Sequence, residues 1–333
     1  MMATQQNYQK GMTNFTKRLT MLCAAVVLAT VPLVADADDI LLGTGAAGSF
    51  SHFTGRAICR TLNRSPGEIN CQVIPASDDI DNLTNLNGGS LDLALLDSRL
   101  LNDAMTRKGQ FQFLDIRYDN LGSLLPLYQL PILLVARADA GIAMLPDLKG
   151  KRINIGIAHT KVREAVDLIM TAKGWAKPDF KLLEELPATL SQGTMAFCHG
   201  NIDAMVHIGV HPDSALQQLL DLCAAVPVNM DDDDITRMVN DNPAVSPVSI
   251  PAATYPGLEK PVASFGTTIL LVASGSLDED TTLAVMTILA KHQASLQSIH
   301  PALGQFAVKP SDDPDIGLSL HPGAAAYFSS QGK

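Results

Sequence analysis

The residues best suited to chemistry lie in short loops that follow apolar runs of the chain. The first loop spans residues 43–49 and contains Gly43, Gly45 and Gly48, with a helical pattern of apolar residues beyond it. Glycines let the backbone approach a ligand closely, and the N-terminus of a helix favours an anion. The alternative is a tight strand-to-helix turn that touches no ligand. As a dinucleotide fingerprint this glycine spacing is poor, because no nucleotide-enzyme context follows it.

A second loop precedes another helical pattern at residues 162–173. Arg163 lies in the first turn of that helix, where its planar guanidinium could hold a carboxylate through two hydrogen bonds. The alternative is an ion pair with Glu164 or Asp167. Thr160 could cap the helix and could also donate to a ligand. With the glycine loop, these residues predict a small carboxylate ligand.

Charged side chains near the ends of predicted strands could bind an amine or add positive charge. The acidic candidates are Asp78, Asp79 and Asp97, and the basic candidates are His52, His159, Lys161 and Arg99. For each of them the alternative is a solvated loop residue, and Asp97 and Arg99 could pair with each other. Tyr128, which comes shortly before a strongly apolar run, could line a cleft or belong to the core.

Neither metal binding nor catalysis is predicted. His207 and His211 have a spacing that binds metal on a helix, but Gly209 and Pro212 oppose a helix there. The chain shows no nucleophile elbow, no metal-ligand set and no paired carboxylates at a convincing catalytic spacing. We therefore expect a binding protein without a cofactor, and a secreted enzyme that uses the same cleft is the alternative.

The elements that must position these loops occur twice along the chain. Each copy runs strand, small-residue loop, helix, strand, helix, strand. Asp92 follows the loop residue Gly43 by 49 positions, and Asp203 follows Gly156 by 47. Alternating strands and helices predict a largely parallel sheet, and ligands bind beyond the carboxyl ends of such strands. Two similar halves predict two lobes with a ligand cleft between them.

Two further strands, at residues 131–136 and 268–273, are apolar on both faces and are therefore expected to be buried. We infer that residues 133–136 and 269–273 are two crossings between the lobes. A double crossing forms a hinge, which allows closure around a ligand. The predicted bounds are 38–135 plus 268–333 for lobe one and 136–267 for lobe two.

Charge and the N-terminus indicate where the protein works. A net charge of −10 with only 5 % aromatic residues argues against a nucleic-acid partner. Three basic residues precede the apolar run at residues 22–34, and Ala35-Asp36-Ala37 offers a cleavage site. We predict a signal peptide at residues 1–37, whose removal takes away three positive charges and one negative charge and leaves −12. An uncleaved anchor is the alternative to a soluble, periplasmic mature chain.

Four cysteines remain after removal of the predicted signal peptide, and they allow three pairings. We favour Cys59–Cys71 and Cys198–Cys223, because each pair then lies within one predicted lobe. The alternative is free thiols or a metal site, although the chain has no Cys-x-x-Cys spacing to support metal. Disulfides would fit an oxidising compartment.

Five segments, taken in order and spacing, resemble the TAXI class of solute receptors for tripartite ATP-independent periplasmic (TRAP) transporters. They are GTG at residues 43–45, LLVARADAGI at 133–142, DLKGKRINIG at 147–156, IPAATYPG at 250–257 and LHPGA at 320–324. The resemblance implies a two-lobe, type II-like binding protein that captures a small, often anionic solute. It also implies delivery of that solute to a membrane permease driven by an ion gradient. A periplasmic sensor or adaptor without transport is the alternative.

The chain departs from that class in the loops expected to hold the ligand. Ser51, His52 and Phe53 stand where the class has two tyrosines and a proline, and the segments at 75–79 and 158–163 also differ. We expect a monomer that binds a small, anionic or amino-acid-like molecule. The expected ligand-binding residues are Gly43, Thr44, Gly45, Gly48, Ser49, Ser51, His52, Ser77, Asp78, Asp97, Ser98, Tyr128, His159, Thr160, Arg163 and Gly209.

Overall fold

The computed structural model describes residues 38–64, 69–187, 192–310 and 316–331. The predicted signal peptide at residues 1–37 lies outside the described residues. Within the described ranges, none of the helices has both the length and the apolar character needed to cross a membrane.

Strands and helices alternate along most of the chain, as the sequence pattern predicts. The strands are β1 Asp38–Thr44, β2 Ile69–Pro75, β3 Leu93–Asp97, β4 Leu121–Arg137, β5 Arg152–Asn154, β6 Leu182–Glu184, β7 Ala204–Ile208, β8 Ala225–Val228, β9 Ser246–Ile250 and β10 Val262–Ser274. The helices are α1 Phe50–Leu62, α2 Asp79–Asn87, α3 Ser98–Thr106, α4 Lys161–Lys173, α5 Gln192–Cys198, α6 Ser214–Leu222, α7 Asp233–Asp241, α8 Glu279–Lys291, α9 Gln293–Gln297 and α10 Pro322–Gln331.

The ten described strands join in one sheet, in which eight follow the order β2-β1-β3-β10-β4-β7-β5-β6, β8 pairs with β4 and β9 pairs with β10. Strand β1 is parallel to β2 and β3, and β5 is parallel to β6 and β7. The long strands β4 and β10 run antiparallel to each other and to their neighbours β7 and β3. The result is a mixed α/β fold with a parallel group at each end of the sheet, one in each of two lobes.

A short two-stranded ribbon connects the two halves of the sheet. Strand β4 pairs with β10 up to Ile132 and pairs with β7 from Ile132 onward. Only the β4–β10 pairing continues at Gln129, Leu130, Thr267 and Thr268. The two strands of this ribbon lie just before the predicted crossings at residues 133–136 and 269–273.

The predicted crossings differ in position from the ribbon for a simple physical reason. The apolar runs chosen as crossings lie in the correct strands, but strong apolarity marks full burial inside a lobe. Leu133 belongs to the core of lobe two and Leu271 to the core of lobe one. The ribbon has fewer neighbours and carries polar side chains such as Gln129 and Thr267. The predicted domain bounds themselves stay a prediction.

The internal repeat is visible in two matching hydrogen bonds. The Asp92 carboxylate accepts from the backbone N–H of Leu41 at 2.8 Å, and the Asp203 carboxylate accepts from that of Arg152 at 2.8 Å. Each aspartate comes just before the third strand of its half and holds the start or middle of a neighbouring strand. Both residues therefore belong to the scaffold.

Packing on the sheet and two disulfides stabilise the lobes. Apolar side chains of α1 and α8 cover one face of lobe one, and those of α2 and α3 cover the other. In lobe two, α4 and α7 belong to one apolar cluster and α5 and α6 to another. The predicted disulfides Cys59–Cys71 and Cys198–Cys223 are both present.

Candidate functional site

A cavity of about 370 Å³ lies where loops of the two lobes face each other. On the lobe-one side it is lined at the carboxyl ends of β1, β2 and β3, which is where ligands bind in parallel α/β sheets. The ribbon residues Leu130 and Thr267 also line it. Other lining residues that matter below are Gly45, Ser77, Asp78, Asp79, Asp97, Arg99, Asp103, His159, Lys161 and Glu164.

Lys161 of lobe two spans the cavity to two carboxylates of lobe one. Its ammonium lies 2.8 Å from Asp79 Oδ2 and 3.3 Å from Asp97 Oδ2. The Asp97 side chain is only 4 % exposed, whereas the Lys161 side chain remains 47 % exposed. Burial acts to lower the pKa of Lys161, but the two carboxylates outweigh it and raise that pKa. Lys161 is therefore charged at neutral pH and holds the two lobes together by a partly screened interaction.

A second, longer ionic contact crosses the same gap. Arg99 Nε lies 3.7 Å from Glu164 on α4 of lobe two and 3.9 Å from Asp103 on its own helix α3. Burial raises the pKa of both Glu164 and Asp103 above the ordinary value, although Arg99 opposes the shift. Counting only Asp, Glu, Lys and Arg, the cavity lining contains five acidic residues and two basic ones, a formal excess of three negative charges.

Four predicted site residues are helix N-caps. Ser49 accepts from the N–H of His52 at 3.1 Å, and Thr160 accepts from that of Arg163 at 3.3 Å. Asp78 and Asp97 cap α2 and α3 in the same way. These side chains satisfy backbone donors that the helix cannot pair itself, so their presence has a structural cause.

The glycine loop has mixed roles. A Cβ on Gly43 would lie 2.6 Å from Leu91 and 2.7 Å from Asn82, so packing inside lobe one excludes a side chain there. Gly45 lines the cavity, and its N–H donates to Ser51 Oγ at 3.1 Å. Gly48 has φ of 91° with open space around it, which fits a turn that leaves the strand. Close backbone approach to the cavity is available at Gly45.

Two further predicted residues face inward and contact other parts of the protein. Thr44 is fully buried, and its hydroxyl lies 3.1 Å from His52 Nδ1. Ser98 is also buried and links the lobes, since it donates to the carbonyl of Ala244 at 2.8 Å and accepts from the N–H of Thr268 at 3.0 Å. Ser98 therefore contributes to the lobe contact beside the ribbon.

Arg163 is engaged by two carboxylates of its own lobe. It forms ion pairs with Asp167 at 3.1 Å and with Glu185 at 2.9 Å, and it is not among the residues that line the cavity. The hydrogen bonds of Glu185 and Asp167 raise its pKa, while burial opposes the rise. The ion pair with Asp167 is the alternative that the sequence left open. Carboxylate binding by Arg163 stays a prediction.

A second cavity of about 460 Å³ is lined by other positions of the long strands. Tyr128 lies there, edge-on to Phe50 with ring centroids 4.9 Å apart, and burial raises its pKa. His211 also lines this cavity, and its Nδ1 lies 2.5 Å from the Tyr255 hydroxyl. Because the loops after β1, β2 and β3 do not line this larger cavity, we take the smaller one as the candidate site.

The structure thus brings some predicted site residues together and leaves others apart. Gly209 lies next to His207 and Asp213 and away from the candidate site. A Cβ at this position would lie 3.1 Å from each of these two side chains. Among the described residues, no group of three or more His, Cys, Asp or Glu side chains could hold a metal ion. The predicted residues that line the candidate cavity are Gly45, Ser77, Asp78, Asp97 and His159.

Several cavity residues were absent from the expected ligand set. Asp79, Arg99 and Lys161 were recognisable only as charged loop-end residues. Asp103 and Glu164 lie within α3 and α4, where a charged side chain usually faces solvent. The available signal for Asp103 was its spacing of four from Arg99, which places both on one face of the helix.

Solved structures of solute-binding proteins share the two-lobe α/β fold of this chain. A TctC solute binding protein from Polaromonas matches with 14 % identity and a TM-score of 0.52, over 76 % of this chain and 83 % of that one. The probable amino-acid ABC transporter extracellular-binding protein ytmK from Bacillus subtilis matches with 10 % identity and a TM-score of 0.52, over 82 % of this chain and all of that one. At these identities the similarity concerns the fold alone.

The sequence gives a more specific assignment. The profile of the NMT1-like family matches residues 42–332, which is most of the chain. The protein belongs to the NMT1-like family.

Proposed function

We propose that this protein is an extracytoplasmic receptor that captures a small organic solute between its lobes. The observation that carries this proposal is the pairing of Lys161 with Asp79 and Asp97 across a cavity at the ends of parallel strands. A solute in that cavity would contact both lobes, so its binding would be coupled to hinge closure. A volume of about 370 Å³ suits a small molecule.

Location outside the cytoplasm rests on two features of the chain. The predicted signal peptide at residues 1–37 would export it, and two disulfides suit an oxidising compartment. The two solved structures with the same fold are those of a solute binding protein and an extracellular-binding protein. We propose a periplasmic, monomeric protein that does not turn its ligand over.

Delivery to a TRAP-type permease is the finer part of the proposal. It rests on the ordered segments that resemble the TAXI class, from residues 43–45 to residues 320–324. A test is whether a permease of this type co-purifies with the solute-loaded protein from its host, compared with solute-free protein. Association with a sensor kinase in place of a permease would support the adaptor alternative.

The receptor role itself is tested by identifying what the protein binds. Native mass spectrometry of protein purified from its host should show a non-covalent small molecule, which is then confirmed by thermal shift. A solute at a hundred times its Kd should stabilise the folded state by about 2.7 kcal/mol. Turnover of the compound would refute a receptor role, and so would the absence of any bound or binding solute.

A further inference from the structure

We propose that the solute carries a cationic nitrogen, and that this group takes the position held by the Lys161 ammonium. The inference rests on the proposed receptor function and adds the chemical class of the solute. It also assigns a role to Lys161, which becomes an internal competitor of the solute.

The acceptor for this cation is already in place. Asp97 is 4 % exposed, and one of its carboxylate oxygens accepts from the N–H of Arg99 at 2.9 Å. The other oxygen accepts from Thr267 Oγ1 at 2.9 Å and from Lys161. These neutral donors come from α3 and the ribbon and hold the carboxylate in one orientation. A buried carboxylate in this position requires a cation, and Lys161 supplies it in this structure.

The charge of the cavity favours a cation over an anion. Lys161 and Arg99 are outnumbered by the five acidic residues of the lining. An anionic solute would enlarge this excess in a partly dehydrated space, whereas a cation would reduce it. Burial raises the pKa of Glu164 and Asp103, neighbouring carboxylates add to the rise, and Arg99 opposes it.

Lys161 can leave its position without loss of the surrounding structure. It is the first residue of α4, its side chain is 47 % exposed, and its aliphatic stem is flexible. The cap of the helix is made by Thr160 and does not depend on the lysine. The ammonium can therefore move into solvent while a solute cation replaces it between Asp79 and Asp97.

Internal competition has a measurable consequence. If Lys161 occupies the position nine-tenths of the time, a competing cation binds about tenfold more weakly than it would at the vacant site. Removing the ammonium should therefore strengthen the binding of amines. If Lys161 instead serves as a ligand for an anion, the same change should abolish binding. Replacement of Lys161 should therefore raise the affinity for a solute cation in the first case and lower the affinity for an anion in the second.

The experiment compares four proteins at low ionic strength by calorimetry. They are the wild type, Lys161→Met, the double variant Lys161→Met with Asp97→Asn, and the control Lys149→Met. Lys149 pairs with Asp179 and is 55 % exposed, so its replacement makes the same change in net charge away from the cavity. The probes are small amines, including 1,4-diaminobutane, together with carboxylates such as succinate and uncharged polyols.

We expect at least one amine to bind Lys161→Met about tenfold or more tightly than the wild type, as release from competition requires. The double variant should lose that gain, and Lys149→Met should match the wild type. Binding of a carboxylate or an uncharged solute, with loss in Lys161→Met, would overturn the cation assignment and leave the receptor function standing. Failure of every probe, together with no co-purified solute, would count against the receptor function itself.

Discussion

Acidification should destabilise the folded protein through His211. Its Nδ1 lies 2.5 Å from the Tyr255 hydroxyl, and its buried Nε2 has no hydrogen-bond partner in the described part of the chain. Burial and, to a lesser extent, nearby His207 lower the pKa of His211 to about 4, and Asp213 opposes the shift. The pKa of the facing Tyr255 is raised to about 12, so the phenol stays neutral throughout the acidic range.

The sign and size of the effect follow from linkage. In the unfolded chain a histidine has a pKa near 6.5, so between pH 6.5 and 4 the unfolded state takes up a proton that the folded state refuses. The stability that depends on a neutral His211 imidazole is fully present above about pH 6.5 and is lost as the pH falls toward 4. Between pH 7.5 and pH 5 the expected loss at this one residue is about 2 kcal/mol.

Urea denaturation of the wild type and His211→Asn across that pH range measures this loss. The variant loses the hydrogen bond to Tyr255 at every pH, so the informative quantity is the change in the difference between the two unfolding free energies. That difference should shrink by about 2 kcal/mol on acidification. His199→Asn is the matched control, because His199 is exposed. Parallel curves for the wild type and His211→Asn would refute the assignment of a buried, neutral imidazole.

Three further outcomes are expected. Replacing Cys198 and Cys223 by serine should lower the urea midpoint by the equivalent of about 3 kcal/mol, since the bridge closes a loop with a sequence separation of 25. Asp203→Ala should cost about 3 kcal/mol in the same assay, because the Arg152 guanidinium and N–H lose a largely buried partner. Arg163→Ala should cost less than about 1 kcal/mol, because its partners are exposed. If Arg163 holds a solute carboxylate, calorimetry should also show binding of that solute weakened about tenfold or more, and unchanged affinity would exclude the clamp.

Features that depend on local pattern were predictable from the sequence. Helix α2 at Asp79–Asn87 has clear local start and stop signals, since Asp78 caps it and the pair Gly88–Gly89 follows it. The disulfides were predictable because the repeat assigned each cysteine to a lobe. The repeat also placed Asp92 and Asp203 at equivalent positions of the two halves, and their matching backbone hydrogen bonds explain why both halves have an aspartate there.

Features that depend on packing between distant segments were not predictable. Lys161 and Asp97 are 64 positions apart, and nothing in either segment indicates that the lysine reaches the other lobe. The polar residues of the ribbon indicate a strand no more strongly than the apolar runs beside them do, so the sequence does not single out the ribbon. Ligand contact by Ser98 stays a prediction. The hydrogen bonds of its hydroxyl with Ala244 and Thr268 could not be foreseen, because these residues come together only in the folded chain.

The two halves share a scaffold, but four of the five acidic residues that line the candidate site come from lobe one. Strands β1 to β3 end in loops that contribute Asp78, Asp79 and Asp97, whereas the loop after β5 leads to Lys161. This asymmetry lets the empty protein pair its own lobes, and any solute must offer the acidic side more than the tethered ammonium does. Specificity for the solute then depends on how much more strongly its cation binds this position than the tethered ammonium does. Lys161 alone can therefore set how strongly a solute must bind, without any change in the fold.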